Sequence, residues 1–245
     1  MFPLDKESKD VISPVIKKFD FATARDQASA EALSIELGYD DAFLGISDEI
    51  SRYSKSLRRN IPDVMICIQS DLSKQECIDK TISLVREKII KFNEQGMVVG
   101  YVEALPHSDH YAYEKLSDLI NKENWFSAKE CIRYGLPVKK GQLWYSTRFH
   151  HHLVAASAGA KGVAISYKPG YYDIKHKSLL NLGTGWNYFT PYSSDTEIGL
   201  PMVNLNFEDI AKKISKSKQA EAFEIYNFQK TTVNNSSQLN TAVSI

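Results

Sequence analysis

The chain contains no Cys-x-x-Cys pair, no apolar run of about 18 residues, no glycine-rich phosphate loop and no excess of either charge. Each absence removes a class of function. The three cysteines, Cys67, Cys77 and Cys131, stand far apart and are odd in number. A chain of 245 residues can bury a sizeable core without disulfides, so they are expected as reduced thiols in a cytoplasmic protein. Cys67 lies in an apolar run and is expected in the core. Lys and Arg total 30 against 30 Asp and Glu, which gives no general attraction to nucleic acid or to an anionic membrane. The opening MFPLDKESKD is too charged for a signal peptide, and no transmembrane segment is expected.

What is present is alternation. DVMICIQ reads as a buried strand by its length and β-branching. The next stretch, SKQECIDKTISLVREKIIKFNEQG, sets Ile78, Ile82, Val85, Ile89 and Phe92 on one helical stripe that Gly96 stops. MVVGYVEAL reads as a strand and SDHYAYEKLSDLI as a helix that Ser108 or Asp109 is placed to cap. A short strand near NWFSA and a helix in AKECIRYG follow. Then come a strand in QLWYST, a helix in FHHHLVAASAG, a strand in GVAISY and a helix in DIKHKSLLNLG. Strands alternating with helices from about 63 to 190 predict an α/β fold, a Rossmann-like parallel sheet with helices on both faces. Upstream, DFATARD reads as a strand, ASAEALSIELG as a helix, and residues 47–60 as a polar connector.

In open α/β sheets ligands bind beyond the carboxyl ends of the strands. Three such corners carry unusual polar groups. One offers His107, Asp109 and His110, the second Arg148 and His150, the third Tyr167, Lys168, Lys175 and His176. The run His150-His151-His152 is not a metal site by spacing. Consecutive helical residues point about 100° apart, and a zinc pair wants i and i+4. Arg148 and His150 flank a helix start, where free N–H groups and a guanidinium favour a carboxylate or phosphate. A histidine there can move a proton near neutral pH. The alternative is that Arg148 only caps or forms a salt bridge. His151 and His152 are read as packing or surface residues, and AASAGAKG as small residues for close helix-to-sheet packing.

At STRFHHHLVAASAGAKGVAISY the chain resembles the polysaccharide pyruvyl transferase family, which shows an R-x-H motif at a strand–helix junction before an Ala-rich helix. ARDQASAEALSIELG is similar to that family's RD-x-x-S element, with Arg25, Asp26 and Ser29, and YDDAFLG to the acidic-aromatic stretch after it. ALPHSDH and YYDIKHKSLLNLG are similar to further family segments. The resemblance spans about residues 5–190. It implies an architecture like a GT-B glycosyltransferase, of which this chain supplies the C-terminal domain. Residues 1–60 are then expected as the remnant of an N-terminal half and a connector, 61–228 as the Rossmann-like domain, and 229–245 as a disordered tail. A truncated or split enzyme is the expectation that follows.

The implied reaction moves pyruvate from phosphoenolpyruvate to a sugar of a cell-surface polysaccharide or glycan precursor, leaving a ketal and releasing phosphate. No cofactor is implied beyond phosphoenolpyruvate as donor substrate, and no metal. The resemblance makes His150 the acid/base, Arg148 an anion ligand and Arg25 a second donor contact, with His107, Asp109 and Lys175 as further substrate-binding candidates. Arg25 beside Asp26 is equally read as an interdomain salt bridge, Asp109 as a helix cap, and Lys175 as solvated. Expected partners are phosphoenolpyruvate and a sugar or lipid-linked glycan acceptor, with a homo-oligomer or a separate N-terminal half completing the cleft. The rival reading is a nucleotide-sugar glycosyltransferase of the same architecture, with Glu103 or Asp109 on the ribose hydroxyls. A third is an inactive domain that binds a glycan or a partner chain.

Overall fold

The N-terminal residues fold around a small parallel β-α-β unit. The computed structural model describes residues 5–56, 59–194 and 197–239. Helix α1 (Lys6–Ile16) is capped by Asp5, which accepts the Ser8 N–H at 2.7 Å, and it holds Pro14 inside rather than at its start. Strand β1 (Thr23–Ala24), helix α2 (Gln27–Leu33) and strand β2 (Glu36–Leu37) follow, the two strands pairing in parallel. The D-x-x-S spacing of the sequence is the cap of α2. Asp26 accepts the Ser29 N–H at 2.8 Å and its hydroxyl at 2.9 Å.

A 3₁₀ turn over Asp41–Gly45 leads into α3 (Ile46–Lys55), so most of the stretch expected as a polar connector is a helix. Its charged residues mask a stripe of Ile46, Ile50 and Tyr53. Ile46 and Tyr53 are buried with Phe43 in the main core, and Ile50 packs against it.

The main sheet has six strands, all parallel. In chain order the elements are β3 (Val64–Cys67), α4 (Gln75–Glu94), β4 (Val99–Val102), α5 (His110–Leu116), β5 (Trp125–Phe126) and α6 (Ala128–Tyr134). There follow β6 (Leu143–Ser146), α7 (Phe149–Ser157), β7 (Lys161–Ile165), α8 (Tyr172–Asn181), β8 (Asn187–Phe189) and α9 (Phe207–Leu239). Strand β8, too short to show a period, is not legible in the sequence. Of the tail expected over 229–245, the backbone to Leu239 continues α9, and residues 240–245 lie outside the described residues.

The strands lie in the order β5-β4-β3-β6-β7-β8. From the central pair β3 and β6 the chain winds outward in both directions, which makes this a Rossmann-like doubly wound sheet. Val64, in β3, sits between Val99 on one side and Leu143 on the other.

Every residue of β3 is buried because both faces are covered. Val64 and Ile66 face the core made with the α4 stripe, including Ile82, Val85 and Ile89. Met65 and Cys67 face the core made with α7, α3 and α9. Helix α7 is buried along its whole length except at His150. Its alanines allow the close packing that the sequence suggests. At Gly162 a Cβ would stand 2.3 Å from the Trp186 ring, so only glycine lets that indole lie on β7. Among the described residues no helix is long and apolar enough to cross a membrane.

Candidate active site

Strands β3 and β6 are neighbours whose crossovers leave in opposite directions, and the crevice this opens lies beyond their carboxyl ends. The chain there reads Gln69 to Asp71 after β3 and Thr147-Arg148 before α7. The two ends are tied together. The Gln69 N–H donates to Thr147 Oγ1 at 2.9 Å, and the Thr147 N–H to the Cys67 carbonyl at 3.0 Å.

Arg148 turns its guanidinium onto Asp109, with Nη2 on Oδ1 and Nε donating to Oδ2 at 3.3 Å. Asp71 lies 3.7 Å from the same Nη2. Asp109 is fully buried and also accepts the N–H groups of Ala104 at 2.8 Å and Leu105 at 2.9 Å. It occupies the cap position of α5 but makes no capping hydrogen bond, contrary to the sequence expectation. Its carboxylate is turned back to its own loop and to Arg148 instead. Burial opposes the charge on Arg148, yet the Asp109 carboxylate raises its pKa overall. Burial, then the same carboxylate, pushes the Cys67 thiol well up, so it is inert core.

The second cluster joins the two halves of the sequence. Asp40 places Oδ2 on Arg25 Nη1 and Oδ1 3.4 Å from His150 Nε2. The Ala42 N–H donates to Asp40 Oδ1 at 3.0 Å. Burial raises the Asp40 carboxyl, but His150, Ala42 and Arg25 together hold it well below the ordinary carboxylate range. Arg25 lies over the Phe149 ring, its guanidinium carbon 4.3 Å from the centroid. The middle residue of R-x-H is thus the platform for Arg25.

The three histidines point into three environments. His150 is outward, with 61% of its side chain exposed. His151 packs edge-on to Trp144, and its Nδ1 has no partner among the described residues. His152 stacks on Trp186 with centroids 4.4 Å apart and meets His176 nitrogen to nitrogen at 3.2 Å.

That inner pair has one consistent proton pattern. The Thr147 carbonyl, 3.3 Å from His176 Nε2, can only accept, so Nε2 carries the hydrogen. His176 Nδ1 then accepts from His152 Nδ1–H, and His152 Nε2 accepts from the Thr184 hydroxyl at 3.0 Å. Burial lowers all three inner pKa values: His151 to about 3, His176 to about 4, and His152 well below its ordinary value.

The remaining candidates are scattered along the same edge. His107 is exposed in a left-handed conformation at φ 68° and makes no polar side-chain contact among the described residues. Lys175 donates to the Tyr171 hydroxyl at 2.7 Å and sits over that ring, with Lys168 at 5.3 Å from its centroid. Tyr172, at the start of α8, stands beside Gln69, Arg148 and Asp71, and burial pushes its hydroxyl up. The structure therefore joins Arg25 to His150 through Asp40, and Arg148 to Asp109.

Sequence reasoning missed Asp40, Gln69, Asp71 and Tyr172 as site residues. Gln69 gave the one usable signal, a polar residue at the end of the apolar run that forms a strand buried on both faces. Its carboxamide is fully buried, with the Tyr172 hydroxyl beside it.

A family model described as polysaccharide pyruvyl transferase matches residues 2–169. No curated protein and no solved structure matches the chain.

Proposed function

The chain belongs to the polysaccharide pyruvyl transferase family, and we propose that it transfers pyruvate from phosphoenolpyruvate to two hydroxyls of one sugar in a cell-surface glycan precursor. The supporting observation is that Asp40 draws Arg25 and His150, residues of two separate sequence motifs, into one cluster. A carboxylate facing His150 Nε2 favours the proton on that nitrogen and leaves Nδ1 for substrate.

The chemistry needs one group that gives and takes protons. The donor's C3 methylene takes a proton from His150, and C2 becomes electrophilic. A sugar hydroxyl adds its oxygen to C2 and returns its proton to the histidine. A second hydroxyl then displaces phosphate from C2, closing the ketal, and its proton leaves with the phosphate. Arg148, whose Nη1 is unengaged among the described residues, and Lys175 are the cations offered to the donor's carboxylate and phosphate.

One observation favours the inactive-domain reading: Arg25 and Arg148 both already hold carboxylates. The two readings part in one experiment. Phosphate release from phosphoenolpyruvate is measured with a glycan acceptor, for wild type and His150→Gln, beside calorimetry of phosphoenolpyruvate binding. Loss of release by about 10²-fold or more, with binding kept, supports the transfer. A well-folded wild type that binds no phosphoenolpyruvate and releases no phosphate overturns it.

A further inference from the structure

A cavity of about 310 Å³ opens beside His150, between α3, α6 and the start of α7. Its walls are small and apolar, chiefly Ala104, Ala128, Leu136 and Val154. Two titratable side chains in its lining, Glu103 and His151, are largely buried. Glu103 follows β4 directly and is 7% exposed; Oε2 accepts the Ala128 N–H at 3.1 Å, and the other oxygen has no partner among the described residues. His151 is 8% exposed, and its Nδ1 has no partner among the described residues.

The other charged groups at this cavity are spoken for. Glu49 and Arg52 pair at 3.0 Å, Glu49 accepts the Leu136 N–H, and Arg52 donates to the carbonyls of Cys131 and Ile132. A buried polar atom left unpaired is costly, and His151 Nδ1 is one at this cavity, while the second oxygen of Glu103 is not sealed off and can meet a ligand there.

The chemistry narrows what that is. The carboxyl of Glu103 repels anions, and the cavity sits at the lower end of the ~300–1,000 Å³ range of small-molecule sites, room for one ring and not for a nucleotide. Its free groups ask for hydroxyls, which donate and accept, while the alanine and leucine walls suit the C–H face of a sugar. Resting on the reading above, we propose that this cavity is the acceptor-sugar subsite: Glu103 and His151 each hydrogen-bond a ring hydroxyl and hold the reacting hydroxyls beside His150. Burial keeps His151 neutral, which lets it serve as a hydrogen-bond partner without competing for the proton.

Binding can be read without turnover. Methyl glucopyranoside, galactopyranoside and mannopyranoside are titrated against the full chain by saturation-transfer NMR. At least one is expected to bind wild type and to bind Glu103→Gln at least tenfold more weakly. Glutamine keeps an oxygen for the Ala128 N–H while turning the free acceptor into a donor, so the fold is preserved. Ile132→Trp, at a position 77% exposed on the cavity rim, is a second variant expected to block the sugar without loss of thermal stability. No sugar binding, or binding indifferent to both variants, overturns the subsite. Sugar bound here without any pyruvyl transfer leaves the subsite standing and removes the proposed reaction. Transfer with an acceptor KM unchanged in Glu103→Gln does the reverse.

Discussion

Asp40 holds Arg25 with one carboxylate oxygen and faces His150 Nε2 at 3.4 Å with the other. A histidine on the helix after β6 is thereby oriented by a residue from the N-terminal motif, so neither segment makes the cluster alone. Asp40→Asn keeps the shape and removes the charge. Transfer is expected to fall by about 10²-fold or more in kcat, since the histidine loses its orienting carboxylate. Donor affinity, read by calorimetry, should change far less. Equal kcat in wild type and variant would remove Asp40 from the mechanism.

Arg148 and Asp109 form a pair in which the acid is fully buried. Arg148→Ala leaves that carboxylate without its cation, and a loss of about 3–5 kcal/mol in unfolding free energy is expected. Adding Asp109→Asn should recover part of the loss, because an asparagine oxygen still accepts from Ala104 and Leu105. Urea denaturation of the single and double variants decides it. A double variant less stable than the single would show that the buried charge is not what the arginine compensates.

The crevice beside Arg148 carries two acidic groups and one arginine, an unfavourable balance for an anionic donor. Asp71 is the acid that can be neutralised without disturbing the core, since 28% of its side chain is exposed. Asp71→Asn is expected to tighten phosphoenolpyruvate or inorganic phosphate binding by about two- to fivefold, the scale of a partly exposed ion pair. Weaker binding on calorimetry would place the anion elsewhere.

Stability should fall as the solution is acidified from neutral pH. His151 and His176, pushed down to about 3 and about 4, and His152, held well below its ordinary value by burial, stay neutral in the fold while the unfolded chain takes up protons near ~6.5. Their contribution is full above that pH and is lost as pH falls towards 4, at roughly 1.4 kcal/mol per pH unit for each proton. Denaturation curves at pH 7.5, 6, 5 and 4.5 measure the slope. His151→Phe, which keeps a ring against Trp144, should reduce it by about one proton. A flat profile between pH 7 and 5 would mean that these histidines are not held neutral.

Much of the architecture is written locally. The four buried residues of β3 follow from a short β-branched apolar run, and the stripe from Ile78 to Phe92 on α4 from the 3.6-residue period of the helix. The R-x-H corner is legible for the same reason, because a strand and a helix must meet there. Helix α3 was hidden by composition, although the spacing of Ile46, Ile50 and Tyr53 was present.

What no local pattern carries is which groups meet once the chain closes. By itself the sequence determined the α/β alternation, the corners where polar residues collect and the family. Only the tertiary structure decided that His150 faces Asp40, that His152 meets His176 in the interior, and that Asp109 takes Arg148 instead of capping its helix. Periodicity acts between neighbours along the chain. Charge pairing and burial act between residues that become neighbours only through strand order, and that order is set by the packing of the whole sheet.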